Sequence, residues 1–402
     1  MDEYSFPVQE NQEPEIKSGA QESRPPVRSL RELIDLVTGR SVKSDAVQED
    51  AGLAEQLPYP FLAIIGQLEM KLALLLSVIN PNIGGVLLIG PRGTGKTTAV
   101  RSLLDLLPEI QRSSCFYGCT AEDVETGGLD AICPDCARKY GEGIPLSKAD
   151  RVRLVELPLN SKLEDVIGGL DERALVHERL RLKRGILAQA DLNILYIDEV
   201  NLLEDIIVDA ILDAAAQGSY ALRRGAASAS YRSRFTLIGS MNPEEGNLRP
   251  QIMDRFGLRV AVHGLADAAD RLEVYQRVRA FRQNPRAVIN QFSSETTIAR
   301  LEVQAARAIL PRVDIPGTIA DLGIALVRKL GIDSLRAEIT LFEAARAYAA
   351  ADGRNLVGSE DIKVVAPMAL RLQRSDFMKH YFEERSLEDQ ELTGTIDSVL
   401  QS

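Results

Sequence analysis

Short apolar runs alternate with longer amphipathic stretches through the middle of the chain. The runs at 85–89, 154–158, 194–197 and 235–239 have the length of buried strands. Helical spacing of apolar residues predicts helices at 68–79, 96–107 and 206–216. Strands that alternate with helices are typical of a parallel sheet with helical crossovers. The pattern predicts an α/β domain over residues 57–264.

The strand-like runs stop near residue 265, and helical patterns continue to about residue 384. Predicted helices lie at 266–281, 295–308, 319–330, 335–350 and 359–374. In 335–350, one helical face is predicted to be apolar, formed by Leu335, Ile339, Phe342, Ala345 and Ala349. Gly353 stands just beyond as a stop signal. Residues 265–384 are therefore predicted to form a helical linker and bundle.

Both ends of the chain lack such patterns. Residues 1–56 are rich in Glu, Gln, Ser and Pro and are expected to form a disordered arm, with one short helical pattern at 29–38. Residues 385–402 are expected to form a flexible acidic tail. The first residues carry no apolar signal segment, and no apolar run approaches the roughly 18 residues that cross a bilayer. We expect a cytoplasmic protein without membrane insertion.

Composition narrows the class of protein. The chain has 402 residues, 45% of them hydrophobic and 26% charged, which is typical of a packed globular core. Its net charge of −11 disfavours broad binding to nucleic acid.

A glycine-rich loop follows the first apolar run directly. It reads Gly90, Pro91, Arg92, Gly93, Thr94, Gly95, Lys96, Thr97 and Thr98, which contains the pattern G-x-x-x-x-G-K-T. In a strand–loop–helix context, the backbone N–H groups of such a loop surround phosphates at a helix N-terminus. The Lys96 ammonium can reach the β- and γ-phosphates, and the Thr97 hydroxyl can bind Mg²⁺. The loop predicts a nucleoside triphosphate site.

Two later strands end in polar residues. The run at 194–197 is followed by Asp198 and Glu199, which suit a Mg²⁺ ligand sphere and a general base for water. The run at 235–239 leads to Asn242 before Pro243. If this strand ends beside the strands that lead to the glycine loop and to Asp198, the Asn242 amide would lie near the γ-phosphate or the attacking water. Taken alone, an Asn-Pro pair could equally start a turn.

These residues, with several longer strings, resemble AAA+ ATPases and, among them, the I subunit of magnesium chelatase. The similarity covers about residues 58–375, and its most specific strings are Asn242-Pro-Glu-Glu-Gly246 and Arg249-Pro-Gln-Ile-Met-Asp-Arg-Phe256. The resemblance implies a three-layer αβα domain with a helical bundle, binding ATP and Mg²⁺. It also implies that Asn242 is the sensor 1 residue, Arg255 an arginine finger for a neighbouring subunit, and Arg336 the sensor 2 arginine. Ile65 and Gln67 would flank the adenine.

The same resemblance implies a biological role. The family's enzyme inserts Mg²⁺ into protoporphyrin IX in chlorophyll and bacteriochlorophyll biosynthesis, and so serves photosynthesis. This chain would be its ATPase motor, forming a homo-oligomeric ring such as a hexamer. It would work with an AAA+ D subunit carrying an integrin-like domain and with a porphyrin-binding H subunit. Three alternatives stay open: a MoxR-type chaperone, a cobalt-chelatase motor, and a nucleotide-dependent scaffold without hydrolysis.

All four cysteines of the chain lie in one segment, at about 113–140. Cys115 and Cys119 form one close pair, and Cys133 and Cys136 form a second. Two close pairs joined by a loop are typical of a structural Zn²⁺ site. An iron–sulfur cluster, a redox-active dithiol and ordinary buried cysteines are the alternatives. A charged stretch at 172–184 stands where the family carries an insertion toward the ring interior, and a solvated helical face is the alternative there.

Overall fold

The computed structural model describes residues 57–115, 118–170, 182–225, 227–246 and 248–372. The strands are β1 (Val86–Ile89), β2 (Ile110–Ser113), β3 (Ser147–Asp150), β4 (Leu154–Leu157), β5 (Gly168–Leu170), β6 (Leu182–Arg184), β7 (Ile194–Ile197), β8 (Ser219–Arg224), β9 (Ala227–Arg232), β10 (Thr236–Met241) and β11 (Leu258–Ala261).

The first eight helices accompany these strands. They are α1 (Leu68–Ile79), α2 (Lys96–Ser102), α3 (Ala121–Gly127), α4 (Pro134–Gly141), α5 (Leu163–Ile167), α6 (Ile186–Gln189), α7 (Asp205–Gln217) and α8 (Pro250–Met253). Six more follow β11: α9 (Ala268–Gln283), α10 (Pro285–Gln291), α11 (Ser293–Ile309), α12 (Gly317–Lys329), α13 (Leu335–Ala351) and α14 (Ser359–Leu370).

Five of the strands form one parallel sheet in the order β11–β1–β10–β7–β4. Because successive side chains of a strand point to opposite faces, each strand contributes residues to the hydrophobic core on either side of the sheet. Val86 and Leu88 pack with α1, α2 and the later helices, whereas Leu87 packs with α5, α6, α7 and α8. This three-layer arrangement, with helices on both faces of the sheet, confirms the predicted α/β fold.

Three antiparallel pairs project from this framework. β2 and β3 form the stem of the segment that carries the four cysteines, with α3 and α4 between them. β5 pairs with β6, and β8 with β9 in a hairpin that follows α7. The sequence pattern predicted none of these short strands, because their residues are mostly polar or small and lack an apolar run.

The α2 prediction was too long at its C-terminal end. The α-helix ends at Ser102 and a 3₁₀ turn at Leu103–Leu106 follows. Leu107 is extended, with ψ 135°, and it precedes Pro108. A residue before proline is disfavoured in the helical region, so the proline limits the helix.

The predicted apolar face of α13 was wrong in part. Leu335 and Ile339 are 73% and 59% exposed, whereas Ala337, Leu341 and Ala344 are fully buried. The buried side of α13 is rich in alanine and packs with α1, α11, α12 and α14. Small residues let helices approach closely, yet alanine adds little to a hydrophobic periodicity, so the larger exposed residues dominated the pattern.

Several predictions lie outside the described residues. These are the N-terminal arm with its short helix, the C-terminal tail and most of the charged stretch at 172–184. The helix predicted at 359–374 was too long, because it ends at Leu370 and Arg371 is extended, with ψ 137°. Within the described ranges, no helix combines the length and apolar character needed to cross a bilayer.

Candidate nucleotide site

The carboxyl ends of β1, β10 and β7 lie side by side in the parallel sheet. In such sheets, the loops after neighbouring strands meet at one edge, where ligands bind. Here they enclose a cavity of about 230 Å³, lined by Arg92, Gly93, Thr94, Gly95, Lys96, Thr97, Thr98, Asp198, Glu199, Ser240, Met241 and Asn242. The structure thus brings together the three polar strand ends that the sequence singled out.

The glycine loop has the backbone shape that its composition predicted. Gly93 and Gly95 have φ of +79° and +87°, a region that favours glycine. A Cβ on Gly90 would lie 2.1 Å from the Val262 carbonyl oxygen. The end of β1 can therefore lie this close to the residue after β11 only because residue 90 has no side chain. The loop leads directly into α2 at Lys96, whose N-terminus favours anions.

Lys96 is held inside the loop. Its Nζ donates to the carbonyl oxygens of Gly90 at 2.7 Å and Pro91 at 2.8 Å. Burial lowers the pKa of Lys96, and the nearby carboxylates Asp198, Glu199 and Glu245 oppose that shift. The ammonium therefore sits in a buried, acidic site, where it can donate to phosphate oxygens.

Oxygen atoms suited to Mg²⁺ converge on Asp198. The Thr97 Oγ1 lies 3.3 Å from Asp198 Oδ2. The Tyr196 hydroxyl donates to Asp198 Oδ1 at 2.8 Å and lies 3.2 Å from Thr97 Oγ1, and the Ser240 hydroxyl donates to the same carboxylate. Burial raises the pKa of Tyr196, so its hydroxyl remains a donor. A hydroxyl and a carboxylate at this spacing fit the hard-oxygen preference of Mg²⁺.

Tyr196 and Ser240 were missed by the sequence reasoning. Each is a polar side chain inside an otherwise apolar strand, near the carboxyl end of that strand. That placement is the signal that could have found them, because a buried hydroxyl needs a hydrogen-bond partner.

Glu199 adopts a strained backbone with φ of +55°. Its N–H donates to Ser240 Oγ at 3.1 Å, and its carboxylate accepts from Arg92 Nη2 at 2.8 Å. Arg92 also bridges to Glu245 at 2.6 Å. A left-handed conformation at a non-glycine residue persists when the surroundings impose it, and such residues cluster at functional sites.

Asn242 is buried at the same cavity. Its Oδ1 accepts from the Glu244 N–H at 3.3 Å, which caps a 3₁₀ turn at Pro243–Glu245. The turn fixes the side chain at the carboxyl end of β10, beside the two acidic residues.

A second cavity of about 760 Å³ lies on the other side of the glycine loop. Ile65 and Gln67 line it together with Pro91, Val274 and Val278. Gln67 has φ of +52°, and its Nε2 donates to the His263 carbonyl at 2.6 Å. A largely apolar cavity next to a phosphate loop suits a nucleobase.

Arg255 and Arg336 line neither cavity. Arg255 Nη1 contacts Asp213 Oδ1 at 2.7 Å and Asp209 Oδ1 at 3.5 Å, both on α7. Arg336 Nη1 lies 3.4 Å from the Asp254 carbonyl oxygen and 3.8 Å from its carboxylate. The two side chains are 34% and 47% exposed, respectively. Since Asp254 adjoins Arg255 in the chain, the two arginines share one edge of the molecule.

The structure also gathers the four cysteines. Their Sγ atoms all lie within 4.8 Å of one another, and none is in a disulfide.

The sheet order and this constellation define a phosphate-loop ATPase of the AAA+ class. Residues 322–393 match the AAA lid domain, and residues 169–252 match the family model "Magnesium chelatase, subunit ChlI". A magnesium-chelatase subunit ChlI homolog from Methanocaldococcus jannaschii is 44% identical over 336 residues, which are 83% of this chain and 90% of that protein. This chain belongs to the magnesium chelatase ChlI subunit family, as the sequence predicted.

A second relative supports that assignment, and a solved structure supports the fold. The magnesium-chelatase 38 kDa subunit of Rhodobacter capsulatus is 44% identical over 332 residues, covering 82% of this chain and 92% of that subunit. The crystal structure of a candidate ATPase from Cytophaga hutchinsonii has a TM-score of 0.50 and 21% identity, covering 77% of this chain and 83% of that one. At that identity the second similarity supports the fold alone.

Proposed function

We propose that this chain is the ATP-hydrolysing motor subunit of a magnesium chelatase. One observation carries the proposal: the glycine loop, the Asp198–Glu199 pair and Asn242 line one cavity at the ends of three adjacent parallel strands. Phosphoryl transfer needs little covalent chemistry from the protein, so positioning and charge stabilisation at such a cavity are the main requirements.

Each side chain at the cavity would have a role that follows from its chemistry. Lys96 would donate to the β- and γ-phosphates, while Thr97 and Asp198 would hold the Mg²⁺ of ATP, which offsets charge on the phosphates. Glu199 would accept a proton from the attacking water, and Asn242 would bond to the γ-phosphate or the water. Ile65 and Gln67, at the apolar cavity, would flank the adenine.

Among the described residues, the cavity lining contains no arginine other than Arg92. Arg92 lines the cavity but is paired with Glu199 and Glu245. Arg255 and Arg336 lie on another edge, partly exposed, and each contacts carboxylate or carbonyl oxygens. We therefore propose that both reach the nucleotide of an adjoining protomer, which makes a closed ring the working form. A hexamer is the ring that the family resemblance favours.

The partners follow from the family. We propose that the ring joins an AAA+ D subunit with an integrin-like domain and drives a porphyrin-binding H subunit. The overall reaction would be Mg²⁺ insertion into protoporphyrin IX, on the route to chlorophyll or bacteriochlorophyll. The names of the relatives favour magnesium over cobalt as the inserted metal.

The decisive experiment removes the proposed general base. Glu199→Gln keeps the size of the side chain but cannot accept the proton, so the ATPase rate should fall about 10²–10⁴-fold while ATP binding persists. Glu244→Gln, an exposed acid two residues beyond Asn242, is the matched control and should keep the wild-type rate. Equal rates for wild type and Glu199→Gln would refute the motor proposal.

A second experiment tests the metal and the partners. The chain is combined with candidate D and H subunits, ATP and protoporphyrin IX, and metal insertion is followed by absorbance. Mg²⁺ should be inserted in an ATP-dependent manner, and the Glu199→Gln ring should fail. Insertion of Co²⁺ but not Mg²⁺ would show that the chain belongs to a cobalt chelatase, and the ATPase proposal would still stand.

A further inference from the structure

The four-cysteine segment is a separate structural unit outside the ATPase site. It runs from β2 to β3 and contains α3 and α4. Its buried apolar cluster consists of Cys119, Ile132, Cys136 and Leu146. Two of these four side chains are themselves cysteines, so ordinary hydrophobic burial is small. A unit of this size generally needs a disulfide or a metal ion to hold its fold.

The sulfur spacing distinguishes between these two possibilities. Cys115 Sγ lies 3.7 Å from Cys119 Sγ and 3.5 Å from Cys133 Sγ. A disulfide would need about 2.0 Å, and Zn²⁺ bound tetrahedrally at about 2.3 Å holds its sulfurs roughly 3.8 Å apart. Thiolates of a four-iron cluster bind different irons, which spreads the sulfurs further than one ion does. All four Sγ atoms lie within 4.8 Å of one another, as a single shared ion requires.

The surrounding bonds orient the sulfurs. The Cys133 N–H donates to Cys119 Sγ at 3.4 Å. Ser113 Oγ donates to the Cys119 carbonyl at 2.6 Å and accepts from the Cys115 N–H at 3.1 Å. Cys133 caps α4, which starts at Pro134 and carries Cys136 in its first turn. Backbone and hydroxyl groups of this kind fix the direction of metal ligands.

Two arginines lie beside the cysteine segment. Four thiolates around one Zn²⁺ carry a net charge of −2, so nearby cations would stabilise them. Arg232 donates to Thr120 Oγ1 and pairs with Asp123, just after Cys119. Arg184 Nη2 would lie 3.7 Å from a Cβ placed on Gly118, the residue before Cys119.

We propose that Cys115, Cys119, Cys133 and Cys136 bind one structural Zn²⁺ ion. The ion closes the unit on the β2–β3 stem and, through Thr120 and Asp123, anchors Arg232 at the end of β9. β10 begins four residues later and carries Ser240 to the ATPase cavity. The zinc unit therefore braces the β8–β9 hairpin next to the strand that positions the site. The metal assignment is independent of the proposed ATPase function.

The first test measures metal in the full-length protein. Purified under reducing conditions, the chain should contain about one zinc per chain. The Cys133→Ser/Cys136→Ser variant should contain none, and the Ser114→Ala variant, altered at an exposed residue of the same segment, should match wild type. A chain without zinc that fails to bind added ZnCl₂, or one that holds its zinc in the double variant, would overturn the proposal. Bound iron with visible absorption would also overturn it.

The second test does not depend on a variant folding. Wild-type protein is stripped of metal with a chelator and refilled with Co²⁺. Intense thiolate-to-cobalt absorption and the visible bands of a tetrahedral ion are expected, and one added equivalent of Zn²⁺ should bleach them. Weak octahedral bands only would rule out a four-thiolate site.

Hydrogen exchange tests the bracing. Zinc removal should speed amide exchange in the cysteine segment and in β8–β9, and should leave α13 unchanged. Unchanged exchange across 110–150 after zinc removal would contradict a structural role for the ion.

Discussion

At the residue scale, the site depends on hydroxyl groups that hold one carboxylate. Asp198 accepts from both Tyr196 and Ser240, and Tyr196 also lies against Thr97. Two candidate magnesium ligands therefore share one aromatic hydroxyl. We therefore expect Tyr196 to position these two ligands without contacting the reacting phosphate itself.

Removing that hydroxyl gives a testable prediction. Tyr196→Phe keeps the buried ring but deletes a hydrogen bond to a charged group, worth about 1.5–3 kcal/mol. The Mg²⁺ concentration for half-maximal ATPase activity should rise about tenfold. Tyr231→Phe is the matched control, because Tyr231 is also buried but lies on β9, and it should leave the Mg²⁺ requirement unchanged. An unaltered Mg²⁺ requirement in Tyr196→Phe would show that the hydroxyl does not position the ligands.

Sequence reasoning reached most of the cavity but not its supports. Lys96, Thr97, Asp198 and Glu199 follow a recognisable spacing, because phosphate and metal chemistry demand particular residue types at strand ends. Ser240 carries no such spacing, since it meets Asp198 only through the pairing of β7 with β10. The contact between Ser240 and Asp198 depends on the order of strands in the sheet, which the sequence pattern does not give.

At the element scale, the helical half is held by polar caps as well as by apolar packing. The buried Asp361 carboxylate accepts two bonds from Arg354, at 2.9 and 2.6 Å, and one from the Gly358 N–H at 2.7 Å. Burial by itself would raise the pKa of Asp361, but the bonds from Arg354 and Gly358 outweigh it, so the pKa is lowered. This carboxylate fixes the start of α14.

The cap predicts a pH-dependent stability. Because the folded pKa of Asp361 lies below its unfolded value, the stabilisation is fully present above the unfolded pKa, about 3.9, and is lost as pH falls through the folded pKa. Asp361→Asn should lower the free energy of unfolding by about 2–4 kcal/mol at pH 7, because it leaves Arg354 without its buried partner.

The measurement is denaturant unfolding of both proteins at several pH values. The difference between wild type and Asp361→Asn should shrink below about pH 4. Glu360→Gln, at an exposed neighbour that pairs with Lys363, is the matched control and should change stability by less than about 0.5 kcal/mol. A difference that stays constant down to pH 3 would show that ionisation of Asp361 is not the source of the stability.

Periodicity predicted the existence of the helices well and their faces less well. The predicted range of α1 agrees with the observed Leu68–Ile79. In α13, however, alanines form the buried side and Leu335 stays exposed. The positions of large hydrophobic residues indicate the buried face of a helix only where large residues fill the core. Where helices pack closely, the smallest side chains lie inside.

At the scale of the whole molecule, the residues proposed to bind phosphates and metal and to activate water share one cavity, and Arg255 does not line it. Arg255 lies against Asp209 and Asp213 on α7, near the surface. Paired with exposed carboxylates, its guanidinium can exchange those partners for a phosphate at modest cost, because surface ion pairs are weak. This placement suits an arginine that serves an adjoining protomer.

Mixing two inactive variants tests that arrangement. Arg255→Ala retains a complete cavity but supplies no arginine, while Glu199→Gln supplies the arginine but cannot activate water. Alone, Arg255→Ala should be at least about 10³-fold slower than wild type, and Glu199→Gln about 10²–10⁴-fold slower. A 1:1 mixture allowed to exchange subunits should recover up to about a quarter of the wild-type rate, because that share of interfaces pairs an intact cavity with an intact arginine. Arg249→Ala, at the start of the short helix α8 that precedes Arg255 and paired with Asp205, should stay active alone. If the mixture is as inactive as its components while both variants still assemble, Arg255 acts within its own protomer, and the shared-site argument for the ring fails.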